Sequence, residues 1–205
     1  MKQMLAQVIV TVLLLSVVGL FAWMWRARRA SRAAGRAALA DLAHALGTTY
    51  EPSVMPRLSG TFGGRACSIE QSRSPQVEDD ATFVRIEIAC RSTTGFQVVR
   101  RKADMESDGH DAVRTGDDTF DTQLVARCAD RVRALAILDA ARRSRLVAWF
   151  RQGWIDDLRC HDGHLTIDGG YGLGEGVGVE RARLLLEEGV AIATALDQTG
   201  AVAPR

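Results

Sequence analysis

The sequence predicts an α+β fold, an N-terminal transmembrane helix followed by an antiparallel sheet of hairpins covered by helices. Three observations predict it. Residues 3–25 form a run of 23 residues without a charge. The dipeptides Gly63-Gly64 and Asp162-Gly163 separate stretches of alternating apolar and polar residues, the pattern of tight hairpins with one buried face. Apolar stripes of helical period occur at 39–46 and 182–196. No strict alternation of strand and helix is present, so a parallel Rossmann-like sheet is not expected.

Composition sets the frame. With 205 residues, 47% hydrophobic and 25% charged, the chain fits about one globular domain and excludes collagen-like or low-complexity classes. Charge is segregated. Residues 1–36 carry Lys2, Arg26, Arg28, Arg29, Arg32 and Arg36 and no acid, whereas residues 37–205 hold 20 bases and 25 acids, a net of −5. A mildly acidic domain argues against nucleic acid as a partner, because that affinity comes from neutralising phosphates. The 24 Arg, two Lys and absence of Asn point to a GC-rich bacterial genome.

The first element, 1–25, is the anchor. About 20 apolar helical residues cross a bilayer core, and Gln7, Thr11 and Ser16 are the only clearly polar side chains of 4–25. Trp23 and Trp25 suit a headgroup interface. A cleaved signal peptide competes, with Lys2 as its basic start. However, no small-x-small site follows the apolar run, and large Trp and Arg residues stand there instead. Arg26, Arg28, Arg29 and Arg32 flank the span. By the positive-inside rule they place the remainder in the cytoplasm, at a bacterial inner membrane. Their expected roles are topology and attraction to anionic lipid, which makes the bilayer the first partner. Gly19 is the only glycine of the span, so no GxxxG pairing face is visible.

The second element, 26–47, is a basic neck helix, with Leu39, Leu42, Ala43 and Leu46 as an apolar stripe and Gly47 as its cap. The domain spans 48–197. Strands are expected at 58–62 and 65–71 around Gly63-Gly64, then an exposed loop at 72–81. The strand at 82–91 alternates Val84, Ile86, Ile88 and Cys90 against Arg85, Glu87 and Arg91. The strand at 96–101 is expected to pair with it through the turn at 92–95. Residues 103–119 read as a polar loop and 120–128 as an alternating strand. Asp130 caps a helix over 131–151, with a break expected near Ala141. A second hairpin surrounds Asp162-Gly163, a glycine-rich loop spans 169–178, and the last helix covers 180–197. Residues 198–205 are expected to be a disordered tail.

Candidate chemistry is sparse. Cys67, Cys90, Cys128 and Cys160 form no CxxC pair, and each falls in an expected strand. They read as core thiols kept reduced in the cytoplasm; their even number permits disulfides if the topology is reversed. His161 and His164 flank a hairpin turn and could hold a metal weakly, but no zinc spacing is present. Residues 104–109 imitate the start of a calcium loop, yet Thr115 at its twelfth position cannot supply the bidentate carboxylate. Asp117, Asp118 and Asp121 offer paired carboxylates at a turn, without a companion His or Ser motif. The glycine-rich loop fits neither GxGxxG nor GK[ST]. No catalytic residue, cofactor-binding residue or metal ligand is assigned. Trp149, Phe150 and Trp154 are either core or an exposed partner surface.

The single N-terminal span resembles a kind of bacterial single-pass, membrane-anchored protein. The neck ending Leu42-Ala43-His44-Ala45-Leu46-Gly47, the Gly60…Gly64-Arg65 hairpin and Thr115-Gly116-Asp117…Phe120-Asp121 carry the similarity. That kind has no assigned activity, so the resemblance carries over no functional residues. The expected function is a cytoplasmic protein-interaction module with a protein partner or a second copy. The acidic loops, the glycine-rich loop and the Trp149/Trp154 region are its expected surfaces. The alternative is a membrane-anchored enzyme or a ligand or metal sensor using Asp117, Asp118, Asp121, His161 and His164.

Overall fold

The computed structural model describes residues 2–53, 57–73, 82–92, 94–102, 111–169 and 179–200. The calcium-like segment 104–109, the glycine-rich 170–178 and the tail 201–205 lie outside them. So do the side chains of residues 2–15, Arg28 and Arg32.

The chain starts in one uninterrupted helix, α1 (Lys2–Leu46). Its end is capped as expected. Gly47 turns to φ +64, and the amide of Thr48 donates to Ala43 O at 2.9 Å. Leu39, Leu42 and Ala43 are buried and Leu46 packs against them. Among the described residues no helix is long and apolar enough to cross a membrane.

Nine strands follow among the described residues: β1 (Thr49–Glu51), β2 (Arg57–Phe62), β3 (Arg65–Arg73), β4 (Thr82–Ala89), β5 (Phe96–Arg100), β6 (Ala112–Val113), β7 (Leu124–Cys128), β8 (Asp157–His161) and β9 (His164–Gly169). They form one antiparallel sheet in the order β1-β2-β3-β4-β9-β8-β5-β7-β6. The helices are α2 (Asp118–Gln123), α3 (Arg131–Ile137), α4 (Ala140–Arg151) and α5 (Val179–Gly200).

The register explains the core. One row of side chains, Leu58, Ile69, Ile86, Ile167, Leu158, Val98, Ala126 and Val113, crosses eight strands and is buried throughout. A second row, through Cys67, Ile88, Leu165, Cys160, Phe96 and Cys128, runs beside it. The end of α1, together with α3 and α5, packs on the sheet. The α5 stripe of Ala182, Leu185, Leu186, Ile192, Ala193 and Leu196 is buried. Gly189 on the same stripe lets the helix approach Ile88 and Ile167 closely. The opposite sheet face carries a cross-strand ladder of charges. Arg57 pairs with Glu70 at 2.9 Å, Arg85 with Asp168 at 2.7 Å and Arg159 with Asp168 at 3.2 Å.

Four expectations are corrected. The strand at 96–101 does not pair with 82–91; the β8–β9 hairpin is inserted between β4 and β5. Residues 118–123 are helical, because Asp117 accepts from Phe120 N at 3.1 Å and caps a short α2. The helix at 131–151 breaks at Leu138, and Asp139 caps a separate α4 through the amide of Arg142 at 2.8 Å. Residues 198–200 belong to α5 rather than to a tail. Both hairpin turns have positive φ at both central residues, +56 and +78 at Gly63-Gly64 and 50 and +79 at Asp162-Gly163, the type I′ geometry.

Candidate functional site

A dense polar network among the described residues lies where the β2–β3 turn meets the end of α5. The Gly63-Gly64 turn delivers Arg65 to the first position of β3, and its guanidinium reaches three partners. Nη2 pairs with Asp197 Oδ2 at 2.7 Å, Nε donates to Thr194 Oγ1 at 3.3 Å, and Nη1 donates to Ala89 O at 2.9 Å. Asp197 is saturated. Its Oδ1 accepts from the amides of Arg91 at 2.8 Å and Ser92 at 3.0 Å, and from the Cys90 thiol at 3.2 Å. These contacts tie α5 to the segment leaving β4. Burial pushes the Asp197 carboxyl up, but Arg65, Cys90 and the Arg91 amide outweigh it and hold the group below the usual carboxylate range.

Behind Asp197 stands a second thiol. Cys90 Sγ and Cys160 Sγ are 3.8 Å apart, and the Cys160 thiol also faces Ser92 O at 3.9 Å. Cys90 is 7% and Cys160 2% exposed. The pair shares its protons unevenly. The contact with the Cys160 sulfur, then burial, pushes Cys90 up; the contact with the Cys90 sulfur pulls Cys160 down against its own burial. The two thiols therefore titrate as a coupled pair, and the charge of the first thiolate opposes loss of the second proton. Cys67 and Cys128 are each pushed up by burial and lie elsewhere in the core. All four cysteines are free.

An open cleft of about 470 Å³ leads to this network, lined by Gly63, Gly64, Arg65, Cys90, Thr194 and Asp197 among others. It brings together a guanidinium–carboxylate pair, a hydroxyl and a thiol. On the far side Ser92 accepts from Arg133 Nη2 at 2.9 Å, and the same guanidinium reaches Leu196 O at the end of α5. Arg133 thus closes the loop between β4 and β5 against α3 and α5.

The residues singled out from sequence lie elsewhere. Asp117 caps α2 and pairs with Arg143 at 3.3 Å. Its carboxyl is lowered by the Phe120 amide first, then, against desolvation, by Arg143. Asp121 accepts from the amides of Thr115 and Gly116 at 3.1 and 3.0 Å and from Thr115 Oγ1 at 2.9 Å, so it shapes the turn. Asp118 is exposed in the first turn of α2. His161 and His164 face each other across the hairpin register, and His161 contacts exposed Asp162 at 3.1 Å. The acids and histidines are not brought together. α2 leads into Leu124, opposite Arg100, whereas the histidine turn lies near the Phe96 end of β5. Four residues of β5, roughly 13 Å, separate those ends. Among the described residues no group of three or more His, Cys, Asp or Glu side chains is placed to hold a metal ion.

Trp149 and Phe150 are buried, so this region is core rather than an exposed aromatic surface. Trp149 stacks on Trp154 with centroids 6.0 Å apart, and Arg181 covers the Trp154 ring at 4.5 Å. On α1, Trp23, Trp25, Arg26 and Arg29 are exposed, with the Arg29 guanidinium 5.3 Å from the Trp25 ring. The proximity of Cys90 and Cys160 had no local sequence signal, because 70 residues separate them. No protein-family model, curated protein or solved structure matches the chain.

Proposed function

We propose that the chain is a single-pass inner-membrane protein whose α+β domain, at 48–197, faces the cytoplasm and works by binding another protein or a second copy. The observation that carries the reading is the unbroken α1. It joins the uncharged 3–25 segment to Leu39, Leu42 and Ala43 in the domain core without an intervening loop. A domain fixed to such a helix is positioned at a surface rather than tethered loosely near it. The exposed Trp23, Trp25, Arg26 and Arg29 provide the interfacial and basic chemistry that a cytoplasmic membrane face attracts. The acids and histidines that an enzyme or metal-sensor reading needs are dispersed, which favours recognition over catalysis.

Two measurements test it. Arg183→Cys places an exposed thiol on α5 against a background of buried ones. An impermeant maleimide is expected to spare it in intact cells and label it after lysis; labelling before lysis overturns the cytoplasmic assignment. In-cell crosslinking followed by purification is expected to give a stoichiometric partner or a dimer, and a clean monomer overturns the interaction reading.

A further inference from the structure

We propose that Cys90 and Cys160 form a redox-active dithiol, which a small peroxide entering the Arg65–Asp197 cleft closes to a disulfide. Three observations support the pairing. The sulfurs lie 3.8 Å apart, in contact without a bond, so closure needs a shift of about 1.8 Å toward disulfide length. Their backbones are held independently. Cys90 N donates to Gly163 O at 2.8 Å beside the turn that follows β8, and Cys160 is paired with Phe96 and Leu165 in the sheet. Access is one-sided: Cys90 lines the open cleft and Cys160 stands behind it. Cys67 and Cys128 have neither a sulfur partner nor this opening among the described residues.

The chemistry balances with the peroxide as oxidant. Cys90 Sγ attacks one peroxide oxygen while its own proton passes to the departing oxygen; the O–O bond breaks, Cys90 becomes a sulfenic acid and one water leaves. Cys160 Sγ then attacks the oxidised sulfur. The S–S bond forms, the S–O bond breaks, and hydroxide departs with the Cys160 proton as a second water. Two thiols and one peroxide give one disulfide and two waters. The sulfur of Cys90 then has no hydrogen to donate to Asp197, so oxidation is felt at the carboxylate that ties α5 to Arg65 and to the segment after β4. A 70-residue separation makes the bridge a link between distant parts of the chain.

The test uses the full chain in detergent micelles, reduced, freed of reductant and treated with hydrogen peroxide. It is then denatured and its free thiols are counted with a maleimide. The expected result is loss of half of the four reactive thiols, a mass lower by two hydrogens, and a linked peptide pair containing Cys90 and Cys160. Reductant restores all four. In Cys160→Ala the bridge is expected to vanish, and a dimedone adduct should appear at Cys90. Four thiols still reactive after peroxide overturn the proposal, as does a linkage mapped to Cys67 or Cys128. Because the count and the mapping use the unsubstituted protein, a poorly folded variant does not decide the outcome.

Discussion

Gly189 in the middle of α5 gives the most direct test of how the helix sits on the sheet. A glycine inside a helix is normally worth replacing, since alanine gains about 1 kcal/mol of helix propensity. Here a Cβ would stand 2.4 Å from Ile88 Cδ1 and 3.1 Å from Ile167 Cδ1. Overpacking of this kind costs about 1–3 kcal/mol. The balance predicts that Gly189→Ala destabilises by roughly 1 kcal/mol, a fall in Tm of about 2–4 °C for a domain of this size. Ile88→Val removes the offending Cδ1 and alone costs about 1 kcal/mol. The double variant should recover, because the new methyl occupies the space the lost one vacated and the helix-propensity gain remains. Urea unfolding of the full chain in micelles, followed by the fluorescence of the stacked Trp149 and Trp154, measures all four corners of the cycle. The expected coupling is about 1.5 kcal/mol in favour of the double variant. Additivity within about 0.5 kcal/mol, or stabilisation by Gly189→Ala alone, would refute the packing of α5 over β4 and β9.

Glu188 is buried between the Arg142 Nε and Arg145 Nη2 groups, the latter at 2.8 Å. Glu188→Gln leaves Arg142 buried beside a neutral group and should cost about 3 kcal/mol in urea unfolding, whereas Glu188→Leu with Arg142→Met should stay near the parent stability. Asp197 supplies a pH dependence. Its folded carboxyl titrates below the unfolded one, so its contribution is present above the ordinary value of about 4 and is lost as pH falls through the depressed folded value. Asp197→Asn should flatten the acid limb of stability, read as urea midpoints across acid pH, and an unchanged limb would contradict the network.

Local sequence carried much of this fold. The stripe Leu39, Leu42, Ala43 and Leu46 with Gly47, the two type I′ turns, the alternation of β4 and the α5 face are each written in consecutive residues. What escaped depends on distant or very short stretches. α2 has six residues, too few to show a helical period, and Phe120, Leu124, Ala126 and Cys128 mimic a strand across it. Its one signal was Asp117 as a cap. β1 and β6 have three and two residues. One neighbour of β5, β8, belongs to a hairpin that begins some sixty residues later, so adjacency in sequence suggested β4 in its place. The Arg65–Asp197–Cys90–Cys160 network draws on β3, α5, the segment after β4 and β8, and no single segment reveals it.

The length of α1 also gives a physical reason for the segregation of charge. On the anchor reading Trp25 marks the membrane interface. Leu39, the first buried neck residue among the described side chains, then stands 14 residues further along the helix, about 21 Å away. The first acid of the chain, Asp41, lies further still. Screening at physiological salt has a length of about 8 Å. On that reading Arg26 and Arg29 would act on anionic headgroups at nearly full strength, while repulsion between those headgroups and the acidic domain would be reduced by roughly an order of magnitude. A flexible linker of the same number of residues has a similar mean reach, about 20 Å, but it samples contact with the surface. A helix whose last turns are fixed in the core by Leu39, Leu42 and Ala43 does not. On the anchor reading, the stiffness of the neck, more than its length, would keep an acidic domain beside an acidic surface without loss of binding.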